Sequence, residues 1–192
     1  VIYSTKDQTT VKLLYGHAFR APNAYEIIYP AGNSAYKPGP ALSPESLRGT
    51  EIVVEQYLGG QLRLTGSIYS NRASNLISLR TDPSDGRLYF ANTDKMTSKG
   101  IEIEMERKWP RGFEIRLAHT WQRSSDDMRR DNAVNSPRTL SKLNFGFPVA
   151  REALSGGLEA QCESSRRTLA GDRAAGFCLA NLTLVSRDLV KG

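Results

Sequence analysis

Along most of this chain apolar and polar residues alternate one by one, and the 3.6-residue spacing of an amphipathic helix is nearly absent. Alternation turns successive side chains to opposite sides of an extended backbone, so each such run predicts a strand with one greasy and one wet face. The run from Thr10 to Arg20 sets Val11, Leu13, Tyr15 and Phe19 against Lys12, Gly16, Ala18 and Arg20. A second, Thr50 to Tyr57, ends at the turn Leu58-Gly59-Gly60, and a third, Gln61 to Asn71, sets Leu62, Leu64, Gly66 and Ile68 against Arg63, Thr65, Ser67 and Tyr69. Asn75 to Arg80 and Arg87 to Asn92 flank the type I turn signal Pro83-Ser84-Asp85-Gly86, which predicts a hairpin standing beyond its neighbours. From Lys99 to Lys108, Ile101, Ile103 and Met105 alternate with Glu102, Glu104 and Glu106. Further strands are expected over Phe113 to Trp121, Thr139 to Phe147 with Pro148 stopping it, Gly157 to Ser165, and Phe177 to Ser186.

These runs are long, and their connections alternate. Strands of about nine to eleven residues cross a bilayer when tilted, whereas soluble strands average about five or six. Connections are short at Ser4 to Thr9, Leu58 to Gly60, Trp109 to Gly112 and Val149 to Leu154, and long at Pro22 to Arg48, around Thr81 to Met96, and at the polar Ser124 to Pro137. Short turns on one side and long loops on the other are the habit of outer-membrane barrels. Tyr57, Trp109, Phe113 and Trp121 stand at strand ends, where an interfacial girdle needs them, although the rim of a soluble sandwich looks similar.

Composition narrows the choice without closing it. The chain has 192 residues with 39% hydrophobic, and no run of 18 apolar residues offers a transmembrane helix, which leaves a β-barrel allowed. Val1-Ile2-Tyr3 reads as a strand already under way and Asp188 to Gly192 as a turn into another, so a piece of a larger protein is expected. The net charge is +6, but basic residues adjoin in pairs only, as at Arg129-Arg130 and Arg166-Arg167, and no aromatic-interleaved basic stripe occurs; nucleic acid is not the expected partner.

Phe19-Arg20-Ala21-Pro22, followed by Pro40-Ala41-Leu42-Ser43-Pro44-Glu45, resembles a motif pair of TonB-dependent outer-membrane receptors. Tyr69-Ser70-Asn71-Arg72, Asn75-Leu76-Ile77, Asn92-Thr93-Asp94, Ser98 to Glu104, Asn135-Ser136-Pro137-Arg138 and Leu143-Asn144 follow in the order of landmarks in the C-terminal part of such receptors. The resemblance implies an all-β, antiparallel up-and-down meander, part of a transmembrane β-barrel in the outer membrane of a Gram-negative bacterium. Residues 1–192 would supply about eight strands, with the plug domain and final strands elsewhere. It implies TonB-dependent uptake of a nutrient complex such as a siderophore-iron chelate or cobalamin, with no catalytic residues, cofactor or bound metal. The implied partners are outer-membrane lipid and lipopolysaccharide, the protein's own plug, the TonB complex reached through the missing N-terminal part, and a small nutrient ligand. Haem is disfavoured, because Gly39 stands where haem receptors carry Asn and no His falls between Pro22 and Pro40. A soluble β-sandwich or small-barrel binding module is the alternative, and a barrel enzyme a more distant one, since only His17 and His119 are present.

Five residues are candidate ligand contacts: Arg20, Asn23, Tyr25, Tyr29 and Tyr36. The Arg20 guanidinium would hold a plug carboxylate or an anionic chelate, or else anchor the base of the long loop. The tyrosines would stack on a ligand or pack the loop onto itself. Asp82 to Gly86 lacks the remaining ligands of a calcium loop and reads as a plain turn. Cys162 and Cys178 share the face of Ala160, Ala180 and Leu182 and flank the last long connection, so a disulfide is expected in an oxidising envelope.

Overall fold

The computed structural model describes residues 1–5, 8–28, 34–126, 131–150 and 153–186. β1 (Ile2–Thr5), β2 (Thr9–Arg20), α1 (Ala24–Ile28), β3 (Glu45–Tyr57), β4 (Leu62–Thr81), β5 (Leu88–Lys108) and β6 (Glu114–Asp126) follow one another. The chain continues through β7 (Asp131–Asn132), β8 (Thr139–Ala150), β9 (Leu154–Glu163), β10 (Arg166–Arg167), β11 (Arg173–Ala174) and β12 (Phe177–Ser186). One antiparallel sheet runs β1-β2-β3-β4-β5-β6-β8-β9-β12, with β7 added beside β6 and β10-β11 a separate ribbon. Every neighbour in the main path is also the next long strand in sequence, which makes an up-and-down meander.

Register fixes the faces. Directly opposite residues point the same way, and one side of the sheet carries the sequence Val54, Ile52, Ile68, Ile101, Ile103, Leu117, Leu143, Leu158 and Leu182 across successive strands. The opposite side carries Lys12, Glu55, Thr65, Glu104, Arg116 and Asn144. No second layer covers the aliphatic side: Ile103 is 59% exposed, Ile68 60% and Leu182 67%, and no large side chain among the described residues is fully buried. A soluble sandwich would bury such a face, and among the described residues it is open.

Several strands outrun their sequence patterns for identifiable reasons. β3 begins at Glu45 rather than Thr50 because Glu45 pairs in register with Arg20. The runs on either side of Asn75 form one 20-residue strand, β4, and those on either side of Met96 one 21-residue strand, β5, joined through register shifts near Ala73 and Leu76. Pro148 does not stop β8: it sits opposite Ser155 beside a further shift, where its missing N–H is tolerated, and the strand reaches Ala150. At the β4–β5 tip the chain closes by Gly86 N donating to Asp82 O (2.9 Å), one residue wider than a type I turn, with Gly86 at φ 72°.

On the polar face, charges meet their opposites. Lys12 pairs with Glu55 (2.7 Å), and Arg63 with Glu104 (3.0 Å) and Glu106 (2.5 Å), while Arg116 adds a contact to Glu106 (3.4 Å). Tyr69 lies across Gly100, its register partner, and donates to Gln122 Oε1 (3.1 Å), a ring-over-glycine pairing that bridges three strands.

Candidate functional site

The long connections all leave from the same end of the sheet, and the side chains that shape that end begin with Arg20. Its Nε and Nη2 donate to Glu45 Oε2 (2.7 Å) and Oε1 (2.9 Å), while Nη1 and Nη2 donate to Glu26 Oε2 (3.0 Å) and Oε1 (2.9 Å). One planar guanidinium thus grips two carboxylates in fork geometry. Glu45 Oε1 also accepts from Ile77 N (2.8 Å), which ties β4 to the same knot.

Asn23 explains why a helix starts here. Glu26 N donates to Asn23 Oδ1 (2.9 Å) and Asn23 N donates to Glu26 Oε2 (2.8 Å), a reciprocal capping box spelled Asn-x-x-Glu. The Arg20 guanidinium holds the Glu26 carboxyl below the usual carboxylate range. Asn23 therefore serves as a cap and Arg20 as a clasp at the loop base.

The aromatic residues gather on β5. Tyr25 meets Phe90 edge to face (centroids 5.8 Å) and Tyr36 stacks on it (6.5 Å, 24°). The loop returns along β5 by backbone bonds, Lys37 N to Leu88 O (2.9 Å) and Leu88 N to Ala35 O (3.0 Å). Gly39 is needed there, since a Cβ on it would stand 2.4 Å from Phe90 O. Lys37 pairs with Asp82 and reaches Asp85 at 3.5 Å, with its ammonium 5.7 Å from the Tyr89 ring. That ammonium holds the Asp82 carboxyl well below its ordinary range, and the Lys37 pKa is raised in return. Asn92 bonds both ways with the backbone of Ser43 (2.7 and 2.8 Å) and to Asn75 O (2.7 Å). Tyr29 lies outside the described residues.

Four of the five candidates are thus brought to one end of the sheet, at the loop base or on its aromatic shelf. Glu26, Glu45, Lys37, Asp82, Tyr89, Phe90 and Asn92 were not among them. The capping box carries a readable signal for Glu26, and Glu45 and Asn92 fall in the motifs quoted from the sequence; Lys37, Asp82, Tyr89 and Phe90 acquire their role from where the loop crosses β5.

A basic depression lies farther along the same end. Arg138, Arg166, Arg167 and Arg173 line it with Ser164 and Ser165, and Asn135 N donates to Arg167 O (2.9 Å). Cys162 and Cys178, directly opposite in register with Cα atoms 4.1 Å apart, are joined by a disulfide at the foot of this loop. No group of three His, Cys, Asp or Glu among the described residues is placed to hold a metal ion.

A family model described as TonB-dependent receptor-like β-barrel matches residues 1–187. The chain belongs to the TonB-dependent receptor family. No curated protein matches its sequence. Among solved structures, this segment of a TonB-dependent receptor resembles the siderophore receptor PirA from Acinetobacter baumannii (TM-score 0.78, 13% identity), covering 97% of this chain and 34% of that one. It resembles the iron transporter FrpB from Neisseria meningitidis at TM-score 0.76 and 13% identity (98% and 31% covered). The pyoverdine receptor FpvA from Pseudomonas aeruginosa gives 0.69 and 17% (95% and 28%). At these identities the likeness speaks for the fold, and the chain spans about a third or less of those proteins. Family membership makes the aliphatic face the lipid side, the polar face the lumen, and the long-loop end the extracellular mouth of an outer-membrane barrel. These receptors transport rather than catalyse.

Proposed function

We propose that the receptor containing this segment captures a nutrient complex, such as a siderophore-iron chelate or cobalamin, on its extracellular loops. It then passes the complex through the lumen when the TonB complex, reached through the N-terminal part, pulls on the plug. Residues 1–192 form a partial barrel of about eight strands in this reading, set in outer-membrane lipid and lipopolysaccharide. The observation that carries it is the aromatic shelf of Tyr25, Tyr36 and Phe90, its loop anchored by the Arg20 clasp, with a basic depression on the β9–β12 connection at the same end of the sheet. Flat rings take the apolar body of a chelate or corrin, and the arginines favour anionic ligands. Arg20 and Asn23 position the shelf, Tyr25 and Tyr36 make contact, and Tyr29, on the same loop, is assigned to that contact set. The test is uptake and equilibrium binding of a labelled ferric chelate and of cobalamin by cells carrying the whole receptor. Tyr25→Ala with Tyr36→Ala is expected to weaken binding of the true ligand about tenfold, roughly 1.4 kcal/mol, with barrel folding unchanged. Unaltered affinity for every ligand the receptor imports would remove the shelf from the proposal.

A further inference from the structure

A polar pair stands in the middle of the lipid side. His119 of β6 lies directly opposite Ile103 of β5 and Ser141 of β8, in the outward row that also holds Gly66 and Cys162. Its Nδ1 is 2.8 Å from Ser141 Oγ, its ring is exposed, and its Nε2 makes no bond among the described residues. Either tautomer leaves that nitrogen wanting: protonated it lacks an acceptor, bare it lacks a donor. Hydrocarbon holds no water to serve it, so the missing group comes from outside the chain.

Depth narrows the source. His119 lies five residues above the β6 start at Glu114. At about 3.4 Å per residue and a tilt of about 40°, that is roughly 13 Å from the periplasmic turn, the middle of the ~25 Å apolar band. Lipid headgroups are about 12 Å away on either side, so the missing group belongs to another membrane-embedded polypeptide. The relief around His119 says which. On its β5 side stand Ile103 and Ile101, with Trp121 above it on β6, all bulky and exposed. On its β8 side come Ser141 and then Ala160 and Ala180 of β9 and β12, and Ser141, Leu143 and Ala160 line a shallow outward hollow with His119 at its rim. A ridge on one flank and a trough on the other are the two halves of an isologous contact, in which a twofold axis along the membrane normal lays each copy's ridge in the other's trough. The same axis, passing through His119, brings the two Nε2 atoms together. Ser141 lets the copies take opposite tautomers, because a hydroxyl both donates and accepts, so the Nε2–H of one ring donates to the bare Nε2 of the other.

We infer that this face is the contact between two copies of the receptor in the membrane, centred on His119, with Ile103, Ile101 and Trp121 of each copy seated over Ser141, Ala160 and Ala180 of the other. The inference rests on the lipid placement of the aliphatic face, and it is independent of which nutrient is imported.

The experiment uses the whole receptor in dioleoylphosphatidylcholine vesicles, donor- and acceptor-labelled on its extracellular loops, with association read by energy transfer over a range of protein-to-lipid ratios. A monomer–dimer equilibrium is expected. His119→Leu, which keeps bulk and removes both nitrogens, and Ser141→Phe, which fills the trough, are each expected to weaken it at least tenfold. His119→Gln, which donates and accepts across the axis, is expected to lose less than His119→Leu, and Leu13→Phe, exposed on the outward side of β2, to change nothing. At a dilution where wild type is monomeric, His119→Leu is expected to unfold at an equal or higher denaturant concentration, since a stranded polar ring has been removed. A lower midpoint, or a failure to fold, would show that His119 serves its own barrel and would overturn the inference. So would a wild-type receptor that stays monomeric at every ratio, unaltered association of His119→Leu, or an equal loss with Leu13→Phe. Failure of the barrel reading itself shows separately, as a wild-type receptor that stays monodisperse without detergent.

Discussion

Ile103→Arg separates a lipid-facing sheet from a water-facing one with a single side chain. Ile103 is flanked in register by Gly66 and His119 and is 59% exposed, so no neighbouring side chain is displaced when it changes. It sits five residues above the β5 end at Lys108, midway along the stretch whose outward positions run from Lys99 to Arg107. Those eight residues measure about 27 Å along the strand and, at a tilt of about 40°, roughly 21 Å through the membrane, which puts Ile103 near the midplane. Arginine there costs about 2–4 kcal/mol on a lipid face, about 30-fold to 1,000-fold in the folding equilibrium, whereas the same change on a water-facing site stays within about 0.5 kcal/mol. The assay is reversible unfolding of the whole receptor in lipid vesicles by guanidinium, followed by tryptophan fluorescence and by the folded band on an unheated gel. Arg107, whose guanidinium lies 4.8 Å from the Trp109 ring near the periplasmic turn, is the outward cation the barrel tolerates, and Arg107→Ile is expected to shift stability little. A cost below about 0.5 kcal/mol for Ile103→Arg would refute the reasoning.

Gly100→Ala drives a Cβ to 2.6 Å from the Tyr69 ring, so the ring must leave its bond to Gln122, costing about 1–3 kcal/mol; Gly16→Ala, which meets nothing within 4 Å, is the control, and equal denaturation midpoints would count against the ring-over-glycine account. The Glu26 and Asp82 carboxyls are held below their ordinary values, so the clasps they make are complete above about pH 4.3 and are lost as pH falls through the depressed values. Lys37 has the opposite sign: its contribution is full below about pH 10.4 and lost on further rise. Amide exchange at Lys37 and Leu88 is therefore expected to stay flat from pH 5 to 9 after correction for intrinsic rates, and a step near neutrality would contradict this. Replacing Cys162 and Cys178 by Ser removes a closure of about 15 residues, worth at most about 3 kcal/mol, and is expected to speed proteolysis within residues 164–176 while leaving β2 to β6 intact.

The faces and the meander were legible because an alternating run with one greasy side has only one register that keeps that side together. Ile101, Ile103 and Met105 against three glutamates left no other choice. The strand ends were less legible. Glu45 looks like loop, and becomes strand only through Arg20, 25 residues earlier. Pro148 reads as a stop because its ring forbids a ladder bond, yet a register shift absorbs the loss. The motif around Arg20 falls at the long-loop end of the sheet, and the Asn-x-x-Glu cap was there to be found. Phe90 was not, since it stands beside Tyr89 on the same strand and only the path of residues 34–39 across β5 selects it.

The disulfide between Cys162 and Cys178 bears on how the protein is assembled. Its sulfurs are on the side of the sheet that ends up against acyl chains, eight residues above the start of β9. Thiols turned toward hydrocarbon are poorly placed to meet a water-borne oxidant, and the cytosol where the chain is made keeps them reduced. The cross-link therefore belongs to the interval in the periplasm, and β9 and β12 enter the membrane as a hairpin already fastened at its leading edge.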